Sequence, residues 1–332
     1  MDSSVLTNTI MPLSEQMLEQ PSYLDSLSEL VHSSECLSSK GYITTPLSDA
    51  DLEKKRRCVR CNSYSTNSNP PGPLSSNVPD EIDSLGLEQL QLEETRAPVP
   101  RCKFHDGKEV NKKWTCCGEH VAGPPCKQEE DHQPEKCTLK EISTRWQYSG
   151  TLLSTTKDAR KVVVIDCEMG TAASGDCELI RLTLIDYFSN HVLIDKLVWP
   201  DVPMSHLNTK WSGVTWKLMR EARNGKRCIF GRKNARALIW KFVGSETIVI
   251  GHGANSDLTS LRWIHPRVID TFIVEGNNHD KATGLSLKKL AEKRLQRIIQ
   301  QGKGHDSLED AIATRDLLHW NVMRMMEGLT EV

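Results

Sequence analysis

The sequence lacks an apolar run of membrane-spanning length and contains few aromatic side chains. No stretch of about 18 or more apolar residues occurs in it, so we expect no transmembrane helix. The N-terminal residues lack the basic, apolar and small-residue order of a secretory signal. Aromatic residues make up 5% and hydrophobic residues 38% of the 332 positions, which predicts that only part of the chain builds a dense core. We therefore expect about two domains, with neither membrane insertion nor secretion.

Cysteine is plentiful, and most of it is concentrated in one region. Seven of the 11 cysteines lie between residues 58 and 137. Without a secretory signal they are expected to be reduced thiols or metal ligands and not disulfides. Their C-x-x-C and C-x-x-H spacings allow two ligands to approach one tetrahedral Zn2+ from a tight turn, and thiolate with imidazole favours zinc over Mg2+.

We therefore predict a small zinc-binding module at residues 58–137 with a long internal loop. Its candidate ligands are Cys58, Cys61, Cys102, His105, Cys116, Cys117, Cys126 and His132, with His120 and Cys137 in reserve. These eight candidates could fill one or two sites, and their spacing does not pair them. The 40 residues between Cys61 and Cys102 leave open whether the C-x-x-C belongs to the site. The alternative is a set of unrelated thiols in a flexible region.

The segments that flank this module have no sustained hydrophobic period. Residues 1–57 are rich in Ser, Thr and Leu, and we expect them to be mostly disordered. This region ends in four basic residues, 54–57, which could be a nuclear import signal or a solvated flank of the module. Residues 138–160 are expected to be a linker.

A compact α/β pattern begins at Lys161 and continues to residue 327. Its first strand is the apolar run Val162–Ile165, which ends in Asp166, with Glu168 two positions on. Side chains two apart on a strand point to the same side. Two carboxylates held together repel each other unless a cation lies between them, and such oxygen ligands suit Mg2+ or Mn2+. The alternative is a strand end with two solvated acids.

The remaining pattern predicts a five-stranded mixed sheet flanked by helices. Further strands are expected at 178–188, 191–200, 247–252 and 267–274, and helices at 214–223, 235–243, 257–263, 286–300 and 306–326. The short turn at Asn190 predicts an antiparallel hairpin between the second and third strands.

Two further acidic positions are predicted at the same edge of this sheet. Asp257 opens the helix after the fourth strand, and active sites of open α/β sheets lie at the carboxyl ends of strands. In Gly304–Ala311, Asp306 and Glu309 resemble a capping box. That places His305 just before the last helix and Asp310 just inside it, where the alternative is a surface capping turn.

A basic patch follows the hairpin, and the net charge differs between the two halves of the chain. The patch consists of Arg220, Arg223, Lys226, Arg227, Arg232, Lys233 and Arg236. Residues 161–332 carry 24 Lys+Arg and 20 Asp+Glu, a net charge of +4, whereas residues 1–160 carry 18 and 24, a net charge of −6. The patch could contact a nucleic acid or be a solvated surface.

The five residues Asp166, Glu168, Asp257, His305 and Asp310 occur in the order found in a known enzyme family. In this order the chain resembles the DEDDh exonucleases of the ribonuclease H-like superfamily, and among them the Rex-type RNA exonucleases. The segments IDCEMG, NTKWSGVT, IVIGHGANSDL, HPRVIDT and IQQGKGHDSLEDA carry the resemblance, which covers about Lys161 to Arg324.

The upstream cysteines resemble the zinc-finger region that precedes this domain in some fungal members. The segment RCKFHDGKEVNKKWTCC, with Cys126 and His132, carries this second match. One departure lies at 206–209, where the family has an Asp-Tyr-Asn-Thr-like run. Leu207 replaces the aromatic residue there, which would weaken a base-stacking or a packing contact.

The resemblance implies a reaction and the residues that perform it. The four acids Asp166, Glu168, Asp257 and Asp310 would hold two Mg2+ or Mn2+ ions, and His305 would act on the attacking water as a general base or position it. The product would be a nucleoside 5′-monophosphate released from the 3′ end of single-stranded RNA, in nuclear RNA 3′-end processing. The zinc module could also bind a protein partner.

Two alternatives to this function remain open at the level of the sequence. The same chemistry could act on single-stranded DNA, since no reader of the 2′-hydroxyl is recognisable. The chain could also be a zinc-dependent interaction module carrying an inert nuclease fold, although all four carboxylates are present. Asp270 is expected to support the fold or the site, and Met169 and Gly170 to let the 3′ nucleotide approach the backbone.

Overall fold

The computed structural model describes residues 13–64, 100–153, 156–277, 286–302 and 304–328. The chain forms two compact units, which we call the sheet unit (Met1–Pro46 and Gln147–Val332) and the Cys/His unit (Leu47–Trp146). None of the helices in the described ranges has the length and apolar character needed to cross a membrane. The Cys/His unit is thus inserted, in sequence, between two parts of the sheet unit.

The N-terminal part of the sheet unit is helical, so the expected disorder is wrong for its described residues. It contains a 3-10 helix Glu15–Glu19, α1 Pro21–Glu29 and α2 Ser34–Ser39. The expectation for residues 1–12 lies outside the described residues. The composition misled because Met17, Tyr23 and Leu27 of this segment are buried in a cluster that also contains residues of the sheet and of α11.

Tyr23 is the main anchor of this segment. Its ring packs edge-on against Phe188, with the ring centroids 6.1 Å apart. Its hydroxyl lies 2.8 Å from the Tyr187 hydroxyl and 2.8 Å from His319 Nδ1. Leu27, one turn further along α1, is buried in the same cluster. Helix α1 therefore covers one face of the sheet unit.

The Cys/His unit is built from short elements. These are α3 Asp49–Glu53, β1 Cys102–Phe104, β2 Glu109–Val110, β3 Lys113–Trp114, β4 Lys127–Glu129 and α4 Leu139–Arg145. Strands β1 and β4 pair antiparallel, as do β2 and β3. A capping box between Thr138 and Glu141 starts α4, so part of the expected linker is a capped helix. The long internal loop expected in this module falls largely on residues 65–99, outside the described residues.

The remainder of the sheet unit is an α/β domain. Its strands are β5 Ser149–Gly150, β6 Val162–Ala172, β7 Cys177–Asp186, β8 Val192–Trp199, β9 Met204–His206, β10 Ile229–Phe230, β11 Ile248–Gly251, β12 Trp263–Ile264 and β13 Val268–Asp270. Its helices are α5 Thr209–Ser212, α6 Trp216–Asn224, α7 Gly231–Ile239, α8 Asn255–Leu261, α9 Thr271–Asn277, α10 Leu287–Leu295 and α11 Ser307–Met326.

The main sheet is mixed, as predicted, but it has seven strands and not five. Its order is β10-β8-β7-β6-β11-β13, and β9 pairs with the far end of β6. The hairpin of β7 and β8 is antiparallel as predicted, and Asn190 takes a positive φ of 58° in its turn. Strand β6 pairs in parallel with β11. The extra strands β9 and β10 are too short to show a period of two in the sequence.

Alternate residues of β6 face opposite layers of helices. Val163 and Ile165 belong to the core that includes residues of α7 and α8, whereas Val162 and Val164 belong to the core that includes residues of α1 and α11. A period of two along a strand produces this division. Consequently β6 is covered on both faces over its first half.

Strand β6 is longer than the sequence predicted. It continues past Asp166 and Glu168 to Ala172, with a register shift after Glu168 where it pairs with β7. A Cβ at Gly170 would lie 2.7 Å from Met204 Cε and 2.9 Å from the His206 carbonyl oxygen. Glycine is therefore needed at position 170 because β9 approaches closely. The structure accounts for this residue without the nucleotide contact that was expected for it.

Two other elements end earlier than predicted. Strand β13 stops at Asp270, whose side chain accepts a hydrogen bond from Phe272 N–H at 2.9 Å as α9 begins. Helix α10 stops at Leu295, because Gln296 takes a positive φ of 52°. The chain after α10 is therefore non-helical, and it carries Gln300 next to the last helix.

The burial of Tyr23 makes a direct test of the ordered N-terminal segment. We expect Tyr23→Ala to lower the free energy of unfolding of the full chain by about 3–5 kcal/mol, because it removes a buried aromatic ring and two hydroxyl contacts. The substitution Ser28→Ala at an exposed position of the same helix should change it by less than about 0.5 kcal/mol. Urea denaturation followed by circular dichroism measures both, and equal stability of the two variants would contradict the docking of α1.

Candidate active site and metal centres

Four carboxylates converge from three elements of the sheet unit. Asp166 and Glu168 lie on β6, Asp257 lies in the first turn of α8 and Asp310 in the first turn of α11. Of these, Glu168, Asp257 and Asp310 are buried. The parallel pairing of β6 with β11, which leads into α8, brings Asp257 to the first pair, as predicted from the sequence.

Burial and mutual repulsion raise the pKa of these acids. Burial, followed by the charges of Asp257, Asp310 and Glu168, raises the pKa of Asp166 well above its usual range. Burial, with the charge of Asp310, raises the pKa of Glu168 to about 8. Burial also raises the pKa of Asp257 to about 7 and raises that of Asp310. The protein therefore supplies too little positive charge and too few hydrogen bonds to stabilise the charged forms of these four carboxylates.

The nearest opposing cation is already engaged. Arg181 lowers the pKa of both Asp166 and Glu168, but its Nε lies 2.9 Å from Asp195 Oδ1 and its Nη2 lies 3.0 Å from Asp306 Oδ1. One carboxylate oxygen, Glu168 Oε1, is buried and has no hydrogen-bond partner. A buried carboxylate oxygen without a partner is costly unless a cation binds it.

The donor set of this site fits hard divalent cations. Carboxylate oxygens are the ligands that Mg2+ and Mn2+ prefer, and the unpartnered Glu168 oxygen can accept such an ion. Among the described residues, the two groups whose ligand atoms all lie within 4.8 Å of one another consist of Cys and His. Within the described residues no three of the four carboxylates meet this distance, so in this conformation they do not form a compact cage for one ion.

Backbone and side-chain partners fix two of the acids in place. Asp257 Oδ1 accepts a hydrogen bond from Cys167 N–H at 2.7 Å, which ties α8 to β6. Both oxygens of Asp310 lie 3.0 Å from Gln300 Nε2. Gln300 could not be identified from the sequence, because no spacing rule connects the chain after α10 with the start of α11.

The start of α11 differs in detail from the predicted capping box. Asp306 is the N-cap, as predicted, and accepts a hydrogen bond from Leu308 N–H at 3.1 Å. Glu309 does not return to the N-cap backbone but accepts from Gln300 N–H at 2.8 Å. The first turn of α11 thus holds Gln300 through two acids, Glu309 and Asp310.

A short glycine-flanked loop places His305 beside the acids. His305 N–H donates to the Trp211 carbonyl oxygen at 2.6 Å, and His305 Nδ1 lies 3.6 Å from Asp310 Oδ2. Gly304 has a φ of +95°, and a Cβ there would overlap the backbone of Gly213. The imidazole is 44% exposed, so it borders the site from the solvent side.

The segment around α5 connects β6 with the His305 loop. Asn208 donates through Nδ2 to the Met169 carbonyl oxygen at 3.2 Å and has a φ of 52°. Leu207 is buried in a cluster with Val214 and Met219. Of the two roles considered for the departure at Leu207, packing is therefore the one observed. Trp211, for which the sequence pattern predicts no role, is 62% exposed beside this loop.

Asp270 supports the turn that precedes α8. Its Oδ1 accepts hydrogen bonds from Gly253 N–H at 2.7 Å and Phe272 N–H at 2.9 Å, and its Oδ2 accepts from the Tyr42 hydroxyl at 2.6 Å. This agrees with the supporting role expected for it. Because Tyr42 lies in the N-terminal segment, that segment also stabilises the turn leading to Asp257.

The eight candidate thiol and imidazole ligands separate into two groups of four. The first is Cys58, Cys61, Cys102 and His132, and the second is His105, Cys116, Cys117 and Cys126. Each group has three cysteines and one histidine, a donor set that could bind tetrahedral zinc. The reserve candidates His120 and Cys137 belong to neither group.

The contacts inside each group match the size of a zinc site. Sulfur atoms bonded to one tetrahedral Zn2+ lie about 3.8 Å apart. The Sγ–Sγ distance is 3.6 Å for Cys58 and Cys102 and 3.6 Å for Cys116 and Cys126. The first group is more buried than the second. It also joins residues far apart in sequence, which is why spacing alone could not pair the ligands.

The basic run that begins at Lys54 packs within the Cys/His unit. The ammonium of Lys55 lies 4.7 Å from the Trp146 ring centroid, and the guanidinium carbon of Arg57 lies 4.2 Å from that of Tyr64. Arg56 donates to the Cys137 carbonyl oxygen at 2.6 Å. The run is therefore part of the folded unit and not only a solvated flank.

Comparison with known proteins places the chain among nucleases. No protein-family profile matches it. RNA exonuclease 3 of Candida albicans is 31% identical over 316 residues, covering 92% of this chain and 69% of the relative. RNA exonuclease 3 of Eremothecium gossypii is 33% identical over 310 residues, covering 89% of this chain and 71% of the relative.

Among solved structures, the Saccharomyces cerevisiae Pan2 pseudoubiquitin hydrolase-RNA exonuclease module with AAGGAA RNA matches with a TM-score of 0.46 and 23% identity. That match covers 55% of this chain and 30% of the other. The alignments with the two RNA exonuclease 3 relatives cover most of this chain and more than two thirds of each relative. They confirm the prediction from the sequence that the chain is an exonuclease. The chain belongs to the RNA exonuclease 3 family and is an exonuclease.

Proposed function

We propose that this exonuclease is a metal-dependent 3′–5′ exoribonuclease of the DEDDh type that releases nucleoside 5′-monophosphates. The observation that carries the proposal is the buried, unpartnered oxygen of Glu168 among four acids whose pKa values are all raised. A protein that gathers uncompensated carboxylates in this way is suited to bind cations. RNA as the substrate is supported by the names of the two relatives, RNA exonuclease 3.

In this proposal Asp166, Glu168, Asp257 and Asp310 would hold two Mg2+ or Mn2+ ions. Bound there, the ions supply positive charge that activates a water molecule and stabilises the leaving 3′ oxygen. His305 takes the proton of the attacking water at Nε2, because its Nδ1 faces Asp310. A new P–O bond forms to the water oxygen and the bond to the 3′ oxygen breaks, which releases the terminal 5′-monophosphate.

The two Cys/His groups are proposed to be structural zinc sites. The described residues of the Cys/His unit bury only a few large apolar side chains, Leu52, Phe104, Ile142 and Trp146, beside Cys58 and Cys102, so hydrophobic burial stabilises the unit only modestly. Metal binding would then supply much of its folding free energy. Each ion would be held by three thiolates and one imidazole.

We expect Asp166→Asn and Asp310→Asn each to reduce hydrolysis of an RNA strand by about 1,000-fold or more, since each removes a cation ligand. Both variants should be at least as stable as the wild type in EDTA, because each removes a repelling charge from a buried cluster. The exposed acid Asp158 provides the matched control, Asp158→Asn, which should retain activity.

The assay uses matched 3′-labelled RNA and DNA strands, with product size read on a gel and stability by thermal denaturation. The wild type with Mg2+ should release a labelled mononucleotide from RNA faster than from DNA, and chelation of divalent ions should stop it. Full activity in either active-site variant would refute the assigned ligands. Faster cleavage of DNA would assign the alternative substrate.

Zinc analysis of the full chain tests the two structural sites separately. We expect two zinc ions per chain, and the loss of one in Cys58→Ser and of one in Cys116→Ser, because these residues belong to different groups. Cys137→Ser should retain both ions and serves as the control. Elemental analysis by mass spectrometry gives the counts, and an unchanged zinc content in both ligand variants would remove this part of the proposal.

The proposal also places the enzyme in the nucleus, in RNA 3′-end processing. The basic composition of the run 54–57 supports it. Within the run the Lys54 side chain is 63% exposed, whereas the three residues after it pack within the Cys/His unit. Imaging of the full chain fused to a fluorescent protein should show nuclear signal, and Lys54→Ala should weaken it. A signal excluded from the nucleus would contradict this placement.

A further inference from the structure

A groove leads from the active site to helix α6. It has a volume of about 680 Å³ and begins at His305 and Asp306. It reaches Ala222 near the end of α6 and Arg227 in the turn that follows. On the α6 side the groove is lined by Leu218, Glu221 and Ala222, whereas Lys217, Arg220 and Arg223 of the same helix lie outside its lining. An RNA strand that enters past His305 therefore leaves the groove at Arg227 before it reaches these cations.

The exposed part of α6 and the following turn is strongly basic. Between residues 217 and 227, five exposed cations stand against the single acid Glu221. They are Lys217, Arg220, Arg223, Lys226 and Arg227. None of the five makes an ion pair with an acid among the described residues. Their charge is therefore available to an anionic ligand.

This surface is narrower than the basic patch seen in the sequence. Arg232 lies 3.1 Å from Glu178 in an ion pair, and Arg236 is buried and donates to the Leu261 carbonyl oxygen at a short distance. Both residues lie on α7 and serve the fold. Arg232 and Arg236 therefore fit neither of the two roles considered for the patch, a nucleic-acid contact or a solvated surface, whereas Lys233 on the same helix is exposed.

Aromatic rings lie among the cations of α6. Trp216 is 37% exposed and contacts Trp199 edge-on, with ring centroids 6.3 Å apart. The guanidinium carbon of Arg223 lies 4.3 Å from the Trp199 ring centroid. Phe230, which pairs with Trp199 in the sheet, is 48% exposed. Cations with exposed aromatic rings are the combination that binds single-stranded nucleic acid by phosphate contacts and base stacking.

We infer that this α6 surface (Trp216, Lys217, Arg220, Arg223, Arg227 and Phe230) binds the single-stranded RNA upstream of the 3′ end. The terminal nucleotide lies at the carboxylates, and the chain behind it passes His305 and follows the groove to α6. The inference rests on the proposed function and assigns it a second contact with the substrate. It predicts that substrates long enough to reach α6 are preferred over a dinucleotide.

The charge component is tested by RNA binding in the absence of added Mg2+ or Mn2+. We expect the triple variant Lys217→Ala, Arg220→Ala, Arg223→Ala to weaken binding of an RNA of about 12 nucleotides by about tenfold or more. The slope of log K against log salt should fall by about 2, since three phosphate contacts are lost. Fluorescence anisotropy across a salt series measures both quantities in the full chain.

The matched control removes the same charge elsewhere on the sheet unit. Lys157, Lys161 and Lys241 are exposed near the start of β6, and their triple alanine variant should keep the wild-type slope. An equal loss in both triple variants would show only a general charge effect and would overturn the inference. Equal competition by polyglutamate and RNA for the wild type would overturn it too, in favour of an acidic protein partner.

The stacking component has a separate readout. Trp216→Ala should weaken RNA binding by about tenfold at every salt concentration, whereas Trp216→Phe should restore most of it, because both aromatic rings can stack on a base. In the wild type, kcat/KM should be higher for the longer RNA than for a dinucleotide, and this ratio should fall in the triple α6 variant. An unchanged ratio would overturn the inference.

The binding assay also separates the inference from the proposed function. If the wild type fails to cleave RNA but the α6 variants still lose binding, the proposed reaction is wrong and the surface stands. If the wild type cleaves RNA but the α6 variants bind normally, the reaction stands and the surface is wrong.

Discussion

Repulsion among four carboxylates, three of them buried, is the constraint on which this structure depends. Asp166, Glu168, Asp257 and Asp310 are held together although each charge raises the free energy of another. Such a cluster persists only where rigid elements fix its members, because a flexible chain would separate the charges. Strand β6 is covered by helices on both faces, and the starts of α8 and α11 are tied to their neighbours by hydrogen bonds.

Part of this rigidity comes from residues that precede Lys161, where the nuclease pattern begins in the sequence. Tyr42 bonds to Asp270, which fixes the turn before α8. Tyr23 contacts His319 on α11, the helix that carries Asp310. The N-terminal segment thus stabilises two of the three elements that bear the acids.

The sequence predicts the paired acids of β6, the central hairpin and the last helix, because each depends on a local period or a turn. Contacts that join distant segments could not be predicted in the same way. Gln300 bonds to Asp310 across a turn with no recognisable motif. The pairing of Cys58 with Cys102 and His132 depends on how the chain returns after a long interval. The helices of the N-terminal segment are stabilised by tertiary burial, which composition does not report.

The insertion of the Cys/His unit makes the boundaries of the nuclease discontinuous along the chain. A recombinant fragment that starts at Lys161 would contain every acid of the site and the whole seven-stranded sheet. It would also leave Phe188 and Leu318 without the cover that Tyr23 and Leu27 provide. Exposed apolar surface of this kind promotes self-association. A fragment that keeps this cover therefore retains residues from both sides of the inserted unit.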